Sequence, residues 1–191
     1  MLNPETIGGE TGALFDRVLR LDPANARALW YGGLASQIRG DETEAVARWK
    51  QLLAQEIPPE FRRVLESRIV SIAPAALDAL VLVEVNVAQE LLQEIPQGAV
   101  LFVALRAVEG GVQGPPVAAR RLEFFNLPET VPVMPGDLLQ GGMPEGGLRV
   151  IARISASGEA SGSIGDIEGQ AEWRPGERKT VKVVLDTRRG E

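Results

Sequence analysis

The chain has 191 residues, 45% hydrophobic and 24% charged, with a formal charge of −6; this is the profile of one large or two small globular domains and excludes a disordered chain. It contains no histidine and no cysteine, which excludes Ser-His-Asp and Cys-His catalysis, imidazole or thiolate metal sites, disulfides, and haem ligation by His or Cys. With no basic surplus to neutralise phosphates, nucleic acid is not an expected partner, and binding is favoured over catalysis.

The N-terminal stretch, Met1 to Gly12, is polar and carries neither a basic n-region nor an apolar h-region, so no export signal is read there. The longest apolar run lies around Leu80–Val83, far short of the roughly 20 residues of a membrane helix. Leu14, Phe15, Val18, Leu19 and Leu21 then form one helical stripe that ends at Asp22-Pro23. Ala26–Arg39, Glu42–Gln55 and Glu60–Ile72 repeat the pattern, separated by Gly40-Asp41 and by Pro58-Pro59. Helical spacing with such short connections predicts a stack of helical hairpins. Pro74 is expected to stop the last helix, which places a boundary near Ala73–Asp78 and divides the chain into 1–76 and 77–191.

Beyond that boundary the grammar changes, since 15 of the 21 glycines lie in residues 77–191. Short apolar or alternating runs are predicted as strands at Leu80–Ala88, Ala99–Val108, Val117–Phe125, Leu148–Ser155, Ile167–Trp173 and Thr180–Asp186. Turn signals separate them: Pro96-Gln97-Gly98, Gly110-Gly111, Gly114-Pro115-Pro116, Pro135-Gly136-Asp137, Gly141-Gly142, Glu145-Gly146-Gly147 and Pro175-Gly176-Glu177. Six or seven strands without long intervening helices predict an antiparallel sandwich or barrel. The fold class expected is therefore α+β, helical hairpins followed by an antiparallel β-sandwich.

The helical part fits a tetratricopeptide unit of about 34 residues. With Ala26 as its first position, Gly33 and Ala45 fall where the two helices cross, Gly40 at the turn and Trp49 at the aromatic position facing the next hairpin. The same frame run backward matches Phe15 and Pro23 to the preceding repeat. Residues 1–76 then hold half a repeat, one full repeat and Glu60–Ile72 as a capping helix. A solenoid usually needs about three repeats, so this part is expected to end a longer array or to dock its N-terminal edge elsewhere. In this frame Arg27, Trp30, Tyr31, Leu34 and Gln37 line an inward groove suited to an amphipathic peptide helix. The other reading of Trp30 puts it in the hairpin core, compensating for Leu29 where the repeat usually has tryptophan.

The Gly-rich stretch Ser155–Gly169 lacks the Gly-Lys-Ser/Thr and following helix of a phosphate loop, and is expected to be a mobile hairpin loop. Asp166 and Glu168 lack the Asp-x-Asp-x-Asp spacing of a calcium ladder and are read as solvated charges. Arg120-Arg121 and Arg188-Arg189 are too sparse for a nucleic-acid patch. No metal site, cofactor or catalytic residue is expected, although Met134, Met143 or Tyr31 offers a conceivable haem ligand.

The run LDPANARALW and its continuation to RGD, EAVARWKQLL (Leu21–Leu53) resembles the tetratricopeptide segment of the system I cytochrome c biogenesis protein family that serves the haem-ligation complex. FVALRA (Phe102–Ala107), GPPVAARRL (Gly114–Leu122), LPETV (Leu127–Val131), ARISASGEA (Ala152–Ala160) and GDIEG (Gly165–Gly169) are similar to that family's C-terminal β domain, in the same order. The resemblance implies a periplasmic, non-catalytic chaperone subunit that holds the C-terminal helix of apocytochrome c and presents it to haem-ligation subunits. It implies membrane attachment only through segments this chain lacks. Two other classes stand beside it: a generic tetratricopeptide scaffold of the envelope whose β domain binds another protein or a glycan, and an enzyme using Asp/Glu chemistry in the β domain. The absence of His, Cys and a paired-carboxylate signature weighs against the enzyme.

Overall fold

A computed structural model describes residues 9–109, 112–139, 142–144, 146–177 and 179–190, without the side chains of residues 109, 112 and 113. Turn assignments at Gly110-Gly111, Gly141 and Glu145 lie outside the described residues, as does most of the polar N-terminal stretch. The chain divides into two compact units, one ending at Ala76 and the other beginning at Leu77.

The first unit holds α1 (Glu10–Leu21), α2 (Ala26–Ile38), α3 (Glu42–Leu53) and α4 (Pro59–Ile72). Local chemistry sets their ends. The Asn25 side chain accepts from Ala28 N–H at 3.0 Å and Asp41 from Glu44 N–H at 3.0 Å, capping the first turns of α2 and α3. Gly40 takes φ +82° between them, in the left-handed region a side chain would disfavour. Pro59 opens α4 where its missing N–H costs nothing. Arg62 donates to the carbonyls of Leu53 at 2.9 Å and Gln55 at 3.2 Å, satisfying acceptors that the end of α3 leaves open.

Helices α2 and α3 cross where α2 has no side chains. A Cβ on Gly33 would lie 2.1 Å from Trp49 Nε1, and one on Gly32 would lie 2.8 Å from Arg48 Nη1. Into that space Trp49 inserts its fully buried ring, donating from Nε1 to the Trp30 carbonyl at 3.2 Å. Arg48 donates to the Gly32 carbonyl at 3.0 Å and pairs with Asp16 of α1 at 2.7 Å, tying three helices together. Ala28, Leu29, Ala35, Ala45, Leu52, Leu65 and Ile69 complete the core.

The second unit holds β1 (Val81–Val87), β2 (Val100–Glu109), β3 (Val112–Leu122), β4 (Glu129–Val133), β5 (Leu148–Ser155), β6 (Ile167–Trp173), β7 (Thr180–Leu185) and β8 (Thr187–Arg188). They form a three-stranded sheet, β4-β1-β7, and a five-stranded sheet, β3-β2-β5-β6-β8. Both sheets contribute to one buried core: Val81, Val83, Val85, Val181, Val183 and Leu185 from the first, Leu101, Val103, Leu105, Leu148, Val150 and Ile154 from the second. Alternation along β1 turns Glu84 outward, where it pairs with Lys182 of β7 at 3.5 Å.

The expectation of an all-antiparallel sandwich is corrected at one ladder: β1 and β7 run parallel, with Leu82 opposite Thr180 and Val87 opposite Leu185. No hairpin joins these two strands, which are separated by nearly the whole unit, so no tight turn forces an antiparallel pairing. Gly114-Pro115-Pro116 is not a turn but part of β3. As an edge strand β3 has a side with no ladder to complete, and the β2–β3 register shifts around Arg106, so prolines without N–H are accommodated. Consequently β3 runs Val112–Leu122 and not Val117–Phe125. Glu129–Val133, which Pro132 and Glu129 hide from strand patterning, is also an edge strand, and among the described residues it pairs with β1.

Between β7 and β8 the chain leaves one sheet for the other. At that corner Gly169 of β6 lies against β7, where a Cβ would stand 1.9 Å from the Val184 carbonyl oxygen, and Asp186 N–H donates to the Glu168 carbonyl at 3.3 Å. A bare backbone on β6 is what lets the sheets meet there.

Candidate functional site

The five residues expected in a groove all lie on α2, at different depths. Arg27 is exposed, while Trp30, Tyr31, Leu34 and Gln37 are half-buried. Helical geometry turns neighbours to different sides. Tyr31 stacks on Phe15 of α1, with ring centroids 5.4 Å apart. Trp30 faces the other way, with Trp49 of α3 at 6.1 Å and Phe61 of α4 edge-on at 5.1 Å. Trp30 is thus both a packing residue and a partly exposed one.

Helix α4 supplies two neighbours that periodicity along α2 does not reveal. Phe61 closes the aromatic cluster, and Arg68 lies over it, its guanidinium carbon 6.0 Å from both the Trp30 and the Trp49 ring centroids. Arg68 also donates to Gln37 Oε1 at 3.1 Å. The signal available in the sequence was the spacing of Phe61 and Arg68, seven residues apart on one helical face.

Among the described residues of the second unit two arginines are buried, Arg120 and Arg153, a burial that sequence spacing does not indicate. Arg120, 3% exposed, sits 3.3 Å from Asp137 and donates to the Pro132 carbonyl, bracing β3 against β4. Asp137 in turn accepts from Met134 N–H at 2.7 Å. Arg153, on β5, has its Nε 3.3 Å from Asp166 and donates to the carbonyls of Glu159 at 2.9 Å and Ala160 at 2.8 Å. Its guanidinium also lies over the Phe102 ring at 5.1 Å. Burial lowers the Arg153 pKa and the facing Asp166 carboxylate opposes that shift; the guanidinium stays charged at neutral pH.

These contacts correct two expectations. The segment between β5 and β6 is not a free loop, because Arg153 holds its carbonyls and Gly165 N–H donates to the Arg189 carbonyl at 2.9 Å. Asp166 is not a solvated charge: it is 3% exposed, ion-paired, and accepts from Ser163 N–H at 2.9 Å. Glu168 remains half-buried, 3.8 Å from Arg189. A carboxylate committed to a buried arginine is poorly suited to general acid–base work.

Among the described residues, no cluster of three or more His, Cys, Asp or Glu is placed to hold a metal ion, and no helix is long and apolar enough to cross a membrane.

Strands β1 to β7, with their shared core and sheet-switching corner, span 81–185. The family described as the cytochrome c-type biogenesis protein H Ig-like domain matches residues 81–186, more than half of the chain. The chain belongs to this family. It is therefore a component of cytochrome c biogenesis, and residues 81–186 are its Ig-like domain. Comparison with curated proteins and with solved structures returned no match. The motifs Phe102–Ala107, Gly114–Leu122, Leu127–Val131, Ala152–Ala160 and Gly165–Gly169 all fall inside the Ig-like domain. Several have a physical role there: Arg120 and Arg153 brace loops, and Gly169 permits the corner.

Proposed function

We propose that this chain is a non-catalytic binding subunit of cytochrome c maturation, in which the helical unit grips an amphipathic helix of apocytochrome c and presents it to haem-ligation subunits in the periplasm. The observation that carries this reading is the half-buried aromatic face of α2, on a chain whose other half is an Ig-like domain of a cytochrome c biogenesis protein. The α2–α3 hairpin acts as a tetratricopeptide unit, with Gly33 and Ala45 at the crossing and α4 as the cap. Arg27, Trp30, Tyr31, Leu34 and Gln37 form the gripping surface. A helix laid along it places apolar side chains against Trp30 and Leu34, the helix-in-groove mode of recognition. The lack of His and Cys suits a subunit that leaves thiol and haem chemistry to its partners. A generic envelope scaffold has no observation of its own to favour it.

Two tryptophans test the reading. Trp49 is fully buried, so Trp49→Ala is expected to destabilise the helical unit by about 3–5 kcal/mol. Trp30→Ala, at a partly exposed position, is expected to weaken binding of a peptide carrying the C-terminal helix of apocytochrome c by about 1–3 kcal/mol while the protein stays folded. Melting and binding are measured on the same full-length variants. A folded Trp30→Ala protein with unchanged affinity assigns Trp30 to packing alone and removes it from the surface.

A further inference from the structure

Two guanidinium groups of the helical unit, one on α4 and one on α2, make no ion pair among the described residues. Arg68 is half-buried, lies over two indole rings and spends one N–H on the neutral Gln37 amide; it makes no ion pair among the described residues. Arg27 is exposed on α2 and is likewise without an ion pair. In contrast, Arg39 and Arg48 of the same unit both reach Asp16, Arg48 also pairing with Glu44. Beside Arg68 the surface is aromatic, formed by Trp30 and Phe61, and the Gln37 amide accepts from Arg68; Leu34 follows Trp30 by one turn on α2. These local cations favour an anionic partner although the net charge of the protein is −6.

Arg68 lies over the Trp30 ring and bonds to Gln37, and Arg27 precedes Trp30 by one turn on α2. Acidic side chains spread along a bound helix can meet both guanidinium groups, whereas a chain end supplies one carboxylate. Arginine is suited to the task, because its planar fork keeps donors available for a carboxylate while its face rests on the aromatic rings.

We propose that Arg68 and Arg27 are charge-reading residues of this face, and that they select a partner helix whose apolar stripe is flanked by Asp or Glu side chains. This rests on the reading of the helical unit as a peptide-gripping surface, and adds the chemistry of the peptide it takes. Arg68 reads the helix from a fixed place, held by Gln37 and by the Trp30 and Trp49 rings. Arg27 reads it from solvent, where ionic strength screens it more strongly.

The test uses the full chain and a labelled peptide carrying the C-terminal helix of an apocytochrome c, in three forms. The first is amidated with its acidic side chains intact; the second is amidated with every Asp and Glu changed to Asn and Gln; the third is the neutralised peptide with a free terminal carboxylate. The wild type is expected to bind the acidic peptide about fivefold or more tightly than the neutral amidated one, an exposed-to-half-buried ion-pair effect. Arg68→Gln and Arg27→Gln are each expected to shrink that preference, read as the ratio of the two affinities for each variant. If Arg68→Gln loses its helical circular dichroism, Arg27→Gln, altered at an exposed position, decides the question.

Equal binding of the two amidated peptides by the wild type, or a preference that survives both substitutions, overturns the inference and leaves the gripping surface standing. Tight binding of the third peptide but not the first also overturns it, in favour of terminal-carboxylate capture. A wild type that binds none of the peptides removes the gripping surface itself.

Discussion

Gly33 is the position where a single hydrogen decides whether α2 and α3 can cross, because the Trp49 ring occupies the place a Cβ would take. Trp49 is fully buried and hydrogen-bonded through Nε1 to the Trp30 carbonyl, so it has little freedom to withdraw. Gly33→Ala is therefore expected to destabilise the helical unit by about 1–3 kcal/mol, the usual cost of overpacking, in spite of alanine's better helix propensity. A thermal melt followed by helical circular dichroism checks it, and a melting point at or above that of the parent chain would show that the ring moves aside. At Asp166 the deciding interaction is electrostatic. Removing its charge leaves Arg153 buried without a counter-ion, and breaking such a pair costs about 3–5 kcal/mol. Asp166→Asn is expected near the low end, because the amide oxygen can still accept from Ser163 N–H. The loop between β5 and β6 should then be cut earlier by protease and exchange amide protons faster; equal protection in both proteins would assign the loop's order to its own turns.

Strand β6 shows how one element can join two sheets. Its ladder with β5 is regular, with Ala152 opposite Gly169, yet its other side pairs with β8 at Ile167 and Glu168 and meets β7 of the opposing sheet at Gly169. The atom facing Gly169 is backbone, the Val184 carbonyl, so no side-chain rotation could relieve a clash. Gly169→Ala is expected to cost the Ig-like domain about 2 kcal/mol or more, at the severe end of small-to-large substitutions because both strands would have to separate. Denaturant unfolding of residues 77–191, in which Trp173 is the only tryptophan, followed by the fluorescence of that residue, on the same strand and 4% exposed, measures it. An alanine variant as stable as the parent would mean that the corner yields freely. Helix α4 presents the complementary case: its apolar stripe was readable from spacing, which placed its start one residue late at Glu60, but its placement of Arg68 over Trp30 and Trp49 depends on three helices at once.

Taken together, the two compact units differ in secondary structure and in the range of their contacts. Residues 77–191, expressed alone, are expected to give a β-type circular dichroism spectrum and one cooperative unfolding transition, since one core is shared by both sheets. A helical or non-cooperative transition from that segment would mean that its core depends on the helical unit. Much of this organisation could be read directly along the chain. Helical periodicity located the helices at Glu10–Leu21, Ala26–Ile38, Glu42–Leu53 and Pro59–Ile72, while the caps at Asn25 and Asp41 and the start at Pro59 are explained by local hydrogen bonding or a missing donor. The strands Leu148–Ser155 and Ile167–Trp173 also begin and end where alternation and turn residues placed them. Less could be read of the surface at Trp30, because whether a helical aromatic packs, binds or does both depends on what approaches it from other helices.

The sequence by itself determined the chemistry available and the local elements: no imidazole or thiol, helices over residues 10–72, a run of short strands and a change of grammar near Pro74. These depend on side-chain type, on spacing over one or two turns, and on residues that start or stop an element. Only the tertiary structure decided that β1 and β7 run parallel, that Gly114-Pro115-Pro116 lies within an edge strand, and that Asp166 is buried against Arg153. Each of these depends on a partner distant in sequence or on the position of a strand within its sheet. A prolyl residue reads as a turn until an unpaired edge makes its missing donor harmless, and an aspartate reads as solvated until a buried guanidinium from another strand meets it.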